Sequence, residues 1–452
     1  MVALLFDNKS LKKLIVPLII EQFLAVMVGM ADIMMVSSAG EAAVSSVALV
    51  DLINVLIINI FAALATGGAV VCAQSIGAGH LDQANRSANQ LVYIVSAISV
   101  ALMVLVLLFS RALLGVLFGQ VEPPVMEGAI TYFVISALSY PFIAVYNGCA
   151  ALLRSMGNSR ASMYVSALMN GLNVVGNAIL VFGFSMGVAG VALATVISQC
   201  ISAGLVLLCL MHAEGPYRVD LRRLRIRRAK LLQIMRIGLP AGVQGAIFSI
   251  SNVLIQSSIN SFGSVAMAGN SAASNLEGFI YTSMNAVYQT SLNFTSQNLG
   301  AGKRSRLMPI LLRCLGVVFA IGALLGLIFY LLRYPLLGVY TSDPEVVSFS
   351  ILRLELICST YFLCGMMEVC CGSLRGLGYS VLPTVISLTG ACGLRVVWIF
   401  TVFAIDRSLW TLYLSYPVSW GLTALAHFIC FLVVLKRQGG TKDVPPQTAA
   451  AK

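Results

Sequence analysis

The sequence has little charge for its length. Only 10% of its 452 residues are Asp, Glu, Lys or Arg, whereas 59% are hydrophobic and the mean hydropathy is +0.93. A soluble protein of this size carries about a quarter charged residues. The chain therefore lacks the polar surface that a globule needs in water, and its composition predicts a membrane protein with several spanning segments.

Histidine is also scarce, and neither the histidines nor the cysteines form a recognisable site. His80, His212 and His427 lie outside any Ser/His/Asp arrangement, and the eleven cysteines lack the spacing of zinc ligands. The cysteines lie mostly within apolar runs, which indicates small core residues of a reduced protein. We therefore expect that the protein is not an enzyme and carries no cofactor.

Twelve apolar runs are long enough to cross a bilayer, for which a helix needs about 20 residues. These runs do not alternate in polarity and are too long for membrane strands. We therefore predict an all-α integral membrane protein of twelve transmembrane helices. The predicted spans are residues 14–36, 46–74, 91–119, 129–152, 161–183, 187–211, 236–260, 269–297, 308–332, 347–371, 382–404 and 411–435. The N-terminus lacks a signal-peptide layout, so we expect the first span to be retained.

Lysine and arginine are concentrated on one side of the predicted membrane. With the N-terminus placed inside, the outside loops hold only Arg111, Arg333 and Arg407. The inside segments hold Lys9, Lys12, Lys13, Arg86, Arg154, Arg160, the cluster from Arg218 to Arg236, Lys303, Arg304, Arg306, Arg313, Arg375 and the C-terminal basic residues. This asymmetry predicts a multi-pass protein of the inner membrane with both termini in the cytoplasm.

The longest charged connection, AEGPYRVDLRRLRIRRAK (213–230), falls near the middle of the chain. We predict an N-lobe over 1–211, a basic cytoplasmic linker over 212–235, a C-lobe over 236–436 and a disordered cytoplasmic tail over 437–452. The net charge of +11 is spread over short loops and this linker. That distribution favours contact with anionic membrane lipids over binding to nucleic acid, and we expect a monomer.

The two halves of the chain resemble each other. Pro17 in KKLIVPLIIEQ matches Pro240 in MRIGLPAGVQG, and QSIGAG (74–79) matches QNLGAG (297–302) at the same separation. LLRSMGNS (152–159) also matches SLRGLGYS (373–380), with a slip of two residues. Because each half has six predicted helices, the repeat is parallel, and the lobes are related by a pseudo-two-fold axis along the membrane normal. Transporters built this way place their binding site between the lobes and alternate access by rocking them.

Ionisable residues within spans are costly and are functional candidates by default. They are Glu21, Asp32, Asp51, Glu277, Arg353, Glu355, Glu368 and Arg395. Asp51, Arg353 and Glu355 lie near span ends, so we expect them to reach water. Asp32 lies deep in the first span and shares a helix face with Glu21, which makes it the strongest candidate to hold a proton or a cation.

The second half offers two further sets of candidates. Glu277 starts a stripe with Tyr281, Met284 and Tyr288, all within about 40° of one helix face. A carboxylate with aromatic and thioether neighbours suits an organic cation, although the same stripe is equally typical of a packing seam. The buried Arg395 needs an anion, so we expect a structural salt bridge between Arg395 and Glu368; Glu368 is also a candidate for proton exchange.

Three amides stand out in the fifth span, within MNGLNVVGNAILVFG (169–183). Asn170, Asn173 and Asn177 fall within an arc of about 60° on a helix. Each amide brings two donors and an acceptor into a medium that penalises unpaired polar groups. The stripe is therefore expected to face the interior of the N-lobe.

Taken together, these features resemble the multidrug and toxic compound extrusion (MATE) family, with a branch close to its bacterial DinF-like members. The resemblance is carried by the six-plus-six repeat, Pro17, MADIMMVS, the two GAG helix ends, LRSMGNS and SLRGLGYSVLPTVISLTGACGLRVVWI, and it covers nearly the whole chain. It implies an antiporter that exports cationic or amphipathic drugs as Na⁺ or H⁺ enters.

The resemblance also implies a cation site in the N-lobe. Asp32 matches the Asp of the first span, Asn173 the Asn of the fifth, and Thr195 in GVAGVALATVIS the Thr of the sixth. The family's second Asp in the fifth span is replaced by Asn177, and Phe248 stands where NorM-like members carry a Glu. Asn177 could still offer an oxygen to Na⁺ but cannot accept a proton, so Asp32 would act alone or with Glu277 or Glu368.

Other functions fit the sequence less well. A flippase of a lipid-linked glycan precursor shares this architecture, but such flippases tend to have a basic cavity and more than twelve helices. A membrane-embedded enzyme would need a catalytic constellation, and a channel would need a filter-like re-entrant segment. The natural substrate and the choice between Na⁺ and H⁺ stay open at this level.

Overall fold

The computed structural model of the protein describes residues 8–38, 40–118, 121–212, 219, 226–341 and 343–445. Throughout these ranges the regular structure is helical, with no strand. The helices of the first half are α1 (Asn8–Ser37), α2 (Glu41–Gly77), α3 (Leu81–Phe118), α4 (Pro123–Ala137), α5 (Tyr140–Ser155), α6 (Ser159–Asn177) and α7 (Gly187–Met211). A π-helical segment, Ala178–Gly183, continues α6.

The helices of the second half follow the same pattern with more interruptions. They are α8 (Arg228–Asn260), α9 (Ser264–Gly300), α10 (Leu307–Leu331), α11 (Arg333–Leu337), α12 (Pro344–Thr360), α13 (Phe362–Gly376), α14 (Val381–Ser387), α15 (Leu394–Phe400), α16 (Val402–Ile405) and α17 (Leu409–Arg437). A π-helical segment, Leu388–Gly393, joins α14 to α15.

The twelve predicted spans each have a helical counterpart in the described residues. Nine helical segments are long and apolar enough to cross a membrane singly. Two further spans are broken: α4 and α5 meet at 47°, and α12 and α13 meet at 45°. The twelfth is α9, a 37-residue helix whose many Ser, Thr, Asn and Gln side chains lower its hydropathy, although most of its C-terminal half is buried. The prediction of an all-α fold with twelve spans in two six-helix sets is confirmed.

The chain forms two compact units, and their limits differ from those that we predicted for the lobes. One unit, here the N-unit, comprises residues 16–76 and 80–242, and the other, the C-unit, comprises residues 1–15, 77–79 and 243–452. Both α1 and α8 therefore divide between units close to their repeated prolines, Pro17 and Pro240. The predicted linker contributes to the N-unit as well, because the backbone N–H of Arg227 donates to Oε1 of Gln90 at 2.9 Å.

Close packing explains why the first part of α8 belongs with the first half of the chain. A Cβ at Gly67 of α2 would lie 2.4 Å from the carbonyl oxygen of Ile234. A Cβ at Gly238 would lie 2.9 Å from the carbonyl oxygen of Ala63. The two backbones approach this closely because both helices present glycine at their contact.

The tail is ordered where we predicted disorder, at least as far as residue 445. The N–H of Val444 donates to the carbonyl oxygen of Gly302 at 3.0 Å, and the N–H of Ser305 donates to Oδ1 of Asp443 at 3.0 Å. Nζ of Lys303 lies 3.6 Å from Oδ2 of Asp443. These bonds attach the segment 438–445 to the loop between α9 and α10, so the prediction of disorder is wrong for this segment, and 446–452 lie outside the described residues.

Candidate functional site

The predicted amide stripe lies on the buried face of α6. Asn170, Asn173 and Asn177 are only 7%, 6% and 0% exposed. Asn177 is the last α-helical residue before the π-helical segment, whose wider turn changes the direction of the side chains that follow. Such interruptions occur frequently at functional sites.

The four residues predicted to hold a cation form one chain of hydrogen bonds. Nδ2 of Asn173 donates to Oγ1 of Thr195 at 3.2 Å. Nδ2 of Asn177 donates to Oδ1 of Asn173 at 3.3 Å and to Oδ1 of Asp32 at 2.5 Å. Three helices of the N-unit, α1, α6 and α7, thus bring these side chains together as the sequence predicted.

A glycine allows α6 and α7 to approach at this point. A Cβ at Gly176 would lie 3.1 Å from Cβ of Ala194, tighter than ordinary van der Waals contact. Gly176 directly precedes Asn177, and Ala194 directly precedes Thr195. The small residues therefore set the spacing at which Asn173 reaches Thr195.

The site contains several side-chain oxygens, and one of them has no hydrogen-bond donor among the described residues. Oδ1 of Asn177 has no hydrogen-bond partner in the described part of the chain, although the residue is fully buried. Buried polar atoms are nearly always paired, so an orphan acceptor beside a carboxylate points to a missing partner. Carboxylate, amide and hydroxyl oxygens are the ligands that hard cations prefer.

Asp51 lies near this site and is half-buried, so the structure does not contradict the expected access of its carboxylate to water. Its Oδ1 accepts from Oη of Tyr132 at 3.3 Å and from Nδ2 of Asn54 at 3.4 Å. Oη of Tyr140 donates to Oδ1 of Asn54 at 2.8 Å, which fixes the orientation of that amide. Tyr132, Tyr140 and Asn54 are all buried.

Glu21, on the same face of α1 as Asp32, is already neutralised. Its carboxylate accepts from Nη1 of Arg154 at 3.3 Å, from Oγ of Ser162 at 2.5 Å and from Oη of Tyr146 at 3.4 Å. Glu21 is 5% exposed, and the Arg154 side chain is 12% exposed. Glu21 therefore serves the structure of the N-unit, while Asp32 has no cationic partner among the described residues.

In the C-unit, Glu277 forms a buried bidentate ion pair with Arg353. Nε and Nη2 of Arg353 donate to the two carboxylate oxygens at 2.8 and 2.7 Å, and Nη1 donates to Oδ1 of Asn270 at 2.5 Å. The expected exposure of Arg353 to water is wrong, because the side chain is buried among α9, α12 and α17. With its charge matched in this way, Glu277 has no free charge for an organic cation.

The remaining members of the predicted aromatic stripe have different surroundings. Tyr281 is 39% exposed, whereas Met284 and Tyr288 are 1% and 5% exposed. Oη of Tyr288 accepts from Nη1 of Arg375 at 2.8 Å. Only Tyr281 therefore offers an open ring.

Arg395 and Glu368 do not form the expected salt bridge in the described structure. Nε of Arg395 donates to Oγ of Ser419 at 2.9 Å, and its guanidinium lies 4.3 Å from the ring centroid of Tyr416 and 5.4 Å from that of Trp420. These rings take the place of the carboxylate through cation–π attraction. Glu368 is half-buried and makes no hydrogen bond or ion pair with any described residue.

Two buried arginines were missed because we had counted them as cytoplasmic loop charges. Arg154 bonds to Glu21, and Arg375 donates to Oε1 of Gln244 at 2.8 Å as well as to Tyr288. A signal was present, because Arg154 and Arg375 occupy the same place in the repeated LLRSMGNS and SLRGLGYS motifs. Glu21 and Gln244 likewise each follow the repeated proline at the same distance.

The fold and the polar clusters define a polytopic membrane transporter built from a duplicated six-helix set. Two stretches of the sequence, residues 17–179 and 240–401, match the MatE family model. The chain therefore belongs to the MATE family of membrane transporters and is not an enzyme.

Two similar proteins are named as probable multidrug resistance proteins. The chain is 25% identical over 389 residues to the probable multidrug resistance protein NorM of Thermotoga maritima, covering 84% of this chain and 82% of that protein. It is 22% identical over 443 residues to the probable multidrug resistance protein YoeA of Bacillus subtilis, covering 96% and 95%.

Solved structures show the same fold. A MOP superfamily transporter from Pyrococcus furiosus matches with a TM-score of 0.90 at 19% identity, covering 95% of this chain and 96% of that one. A multidrug resistance MATE family transporter in an outward-facing conformation matches with a TM-score of 0.88 at 19% identity, with the same coverage.

Proposed function

We propose that the protein is a cation-coupled antiporter that exports cationic or amphipathic toxic compounds by alternating access. The observation that carries this proposal is the hydrogen-bonded chain of Asp32, Asn177, Asn173 and Thr195. Relatives named as multidrug resistance proteins support the substrate class. Na⁺ or H⁺ is here a transported ion and not a resident cofactor.

Each residue of the site has a distinct role in this proposal. Asp32 supplies the negative charge that attracts the ion, since a carboxylate in an apolar setting favours a proton or a cation as its partner. Thr195 and the amides of Asn173 and Asn177 supply neutral oxygens. If the ion is Na⁺, the Asn177 amide turns from donating Nδ2 to Asp32 to presenting its unpaired Oδ1; if it is H⁺, Asp32 alone accepts it.

The open groups of the C-unit are candidates for contact with the exported compound. Tyr281 presents a partly exposed ring, and Glu368 carries a carboxylate within electrostatic reach of it. An aromatic face beside a carboxylate attracts a lipophilic cation. Glu277, Tyr288 and Arg395 are already bonded within the unit, so we assign them to its stability.

The distribution of lysine and arginine supports a proposal for the membrane location and orientation of the protein. We propose that it is a monomer in the inner membrane with both termini in the cytoplasm. The basic linker would then face anionic headgroups. Nucleic acid has no part in this function.

Purified protein reconstituted in liposomes, with sodium and pH gradients imposed separately, tests the proposal. We expect efflux of a fluorescent lipophilic cation driven by at least one gradient, and its loss in Asp32→Asn. Glu355→Gln, which removes an exposed carboxylate from another span, is the matched control and should transport normally. Normal transport by Asp32→Asn under both gradients would contradict the proposal.

A genetic comparison separates drug export from lipid flipping. Deletion of the gene should sensitise cells to lipophilic cations. A cell-envelope defect without any change in drug sensitivity would favour a flippase of a lipid-linked glycan precursor.

A further inference from the structure

We propose that Asp51 is the second carboxylate of the ion site and supplies the negative charge that position 177 lacks. This inference rests on the proposed function, because it assigns a further residue to the same site. No sequence motif marks Asp51, and it emerges only from the packing of α2 against α4 and α5.

Hydrogen bonds from neighbouring side chains orient the carboxylate of Asp51. Tyr132 and Asn54 both direct donors at Oδ1 of Asp51, and Tyr140 fixes the Asn54 amide from behind. The two donor contacts, 3.3 and 3.4 Å, are long, and the other carboxylate oxygen accepts no hydrogen bond from a described residue. The carboxylate is therefore oriented, and one of its oxygens has no hydrogen-bond partner among the described residues.

Tyr132 links Asp51 to the predicted site. Its hydroxyl donates to Oδ1 of Asp51 at 3.3 Å, and Asp51 lies near enough to Asp32 for the two charges to influence each other. Neither Asp32 nor Asp51 has an ion-pair partner among the described residues. Two neighbouring carboxylates with low-dielectric surroundings repel each other strongly unless a cation or a proton lies with them.

A second observation points to a bound cation independently of the carboxylates. Oδ1 of the fully buried Asn177 lacks a partner, and the amide that carries it touches Asp32. A monovalent cation beside Asp32 would give this oxygen a partner and would offset the repulsion between the two carboxylates. Asp51 on α2 would thus restore a two-carboxylate site without an acid in α6.

Removing the carboxylate at position 51, and then adding one at position 177, tests this inference. We expect Asp51→Asn to weaken the apparent affinity of transport for the driving ion by about tenfold or more, because one of two attracting charges is lost. It should also reduce the rise in thermal midpoint that Na⁺, or a lower pH, gives the purified protein in detergent. The double variant Asp51→Asn/Asn177→Asp returns a carboxylate to the site from α6 and should regain most of that affinity.

Two further variants separate charge from position and from general damage. Tyr132→Phe keeps the charge of Asp51 but removes a donor that orients it, so it should show a smaller loss of ion affinity with an unchanged maximal rate. Glu355→Gln should match the unaltered protein in both measurements.

The outcomes distinguish this inference from the proposed function. If Asp51→Asn keeps the ion affinity and the thermal shift while Asp32→Asn loses both, the inference is wrong and the antiporter stands. If the unaltered protein shows no ion-driven transport and no ion-dependent thermal shift, both fail. Should Asp51→Asn not fold, the inference depends on Tyr132→Phe. Unaltered ion affinity and an unaltered thermal shift in that variant would overturn it.

Discussion

At the scale of single residues, an arginine at the same position of each repeat forms hydrogen bonds in both halves, but its partners differ in charge. Arg154 meets the carboxylate of Glu21, whereas its repeat counterpart Arg375 meets the amide of Gln244 and the hydroxyl of Tyr288. A buried guanidinium needs its donors satisfied wherever it lies, but only one of these two has a full counter-charge in contact. Both halves therefore have a hydrogen bond from this arginine to the side chain four residues after the repeated proline, but that side chain is charged only in the first half.

Loss of the Glu21 carboxylate should destabilise the protein strongly. Glu21→Ala leaves Arg154 buried without its anion, and breaking a buried ion pair from one side costs about 3–5 kcal/mol. Glu21→Gln should cost less, since it reproduces the pairing of Gln244 with Arg375. Thermal unfolding in detergent measures both, and equal midpoints for Glu21→Ala and the exposed-site control Glu355→Ala would contradict this account.

Residue types together with the family resemblance pointed to four side chains of the N-unit, but not to the role that we propose for Asp51. Asp32, Asn173, Asn177 and Thr195 were predicted from a buried charge, an amide stripe and a family resemblance, and the structure brings them together. Asp51 was expected to reach water because it lies closer to the end of its span. Its actual partner Tyr132 is 81 residues away along the chain, a separation over which no local pattern carries information.

At the scale of elements, the packing of α6 on α7 determines the geometry of the site. Gly176 is the close-approach position, while Gly171 on the same helix has no atom within 4 Å of where a Cβ would be. The two glycines therefore make a matched pair that differs only in contact.

Substitution of these glycines should give opposite results. Gly176→Val forces the helices apart, costs about 1–3 kcal/mol as overpacking and should weaken ion-driven transport by moving Asn173 from Thr195. Gly171→Ala should leave transport intact and stabilise the helix by up to ~1 kcal/mol, the difference in helix propensity. Liposome transport and thermal unfolding of both variants check this, and normal transport by Gly176→Val would show that this spacing is not needed.

The ordered tail is a second element-scale feature. A Cβ at Gly302 would lie 2.0 Å from the carbonyl oxygen of Val444, so this glycine permits the tail to lie against the loop. Its φ of +71° also favours glycine. The backbone N–H of Ser305, with Lys303 nearby, holds the pKa of Asp443 below its usual range.

Removal of the tail should expose the loop between α9 and α10. A chain ending at Gln438 loses the bonds from Asp443 and Val444, so trypsin should cut faster after Lys303, Arg304 or Arg306. A chain ending at Pro445 keeps them and serves as the control. Because the pKa of Asp443 is lowered, its contribution to stability is present at neutral pH and is lost as the pH falls through that lowered pKa. Asp443→Asn should remove this pH dependence from the thermal midpoint of the full-length protein in detergent. Equal cleavage of both truncated chains would contradict the role of the tail.

At the scale of the whole molecule, the orientation that we propose rests on a bias of charge and not on any single contact. The expected inside segments hold most of the lysines and arginines, although Arg154 and Arg375 prove to be buried among helices. Removing those two from the count leaves the bias in place, since the outside loops hold only Arg111, Arg333 and Arg407.

Reporter fusions test this orientation. Green fluorescent protein fused after Lys452 should fluoresce, and alkaline phosphatase fused there should be inactive, because we expect the C-terminus in the cytoplasm. Alkaline phosphatase inserted next to Arg407, in an expected outside loop, should be active. The reverse pattern would show that the charge bias does not set the topology.

The sequence by itself determined that this protein spans a membrane, that its helices number twelve and that they form a duplicated set. Hydrophobic length, helical periodicity and repeated motifs are properties of neighbouring residues, so they can be read along the chain. Even α9, whose many polar side chains lower its hydropathy, was predicted from the sequence as the span over residues 269–297.

Only the tertiary structure decided how the buried charges pair. Glu277 binds Arg353 across 76 residues, Glu21 binds Arg154 across 133, and Arg395 lies against aromatic rings instead of Glu368. Each pairing depends on which helix faces meet and at what depth, because charges in a low-dielectric interior act strongly only at contact distance. Asp32 and Asp51 are left without ion-pair partners among the described residues by the same packing, and this is the physical basis for assigning the ion site to them.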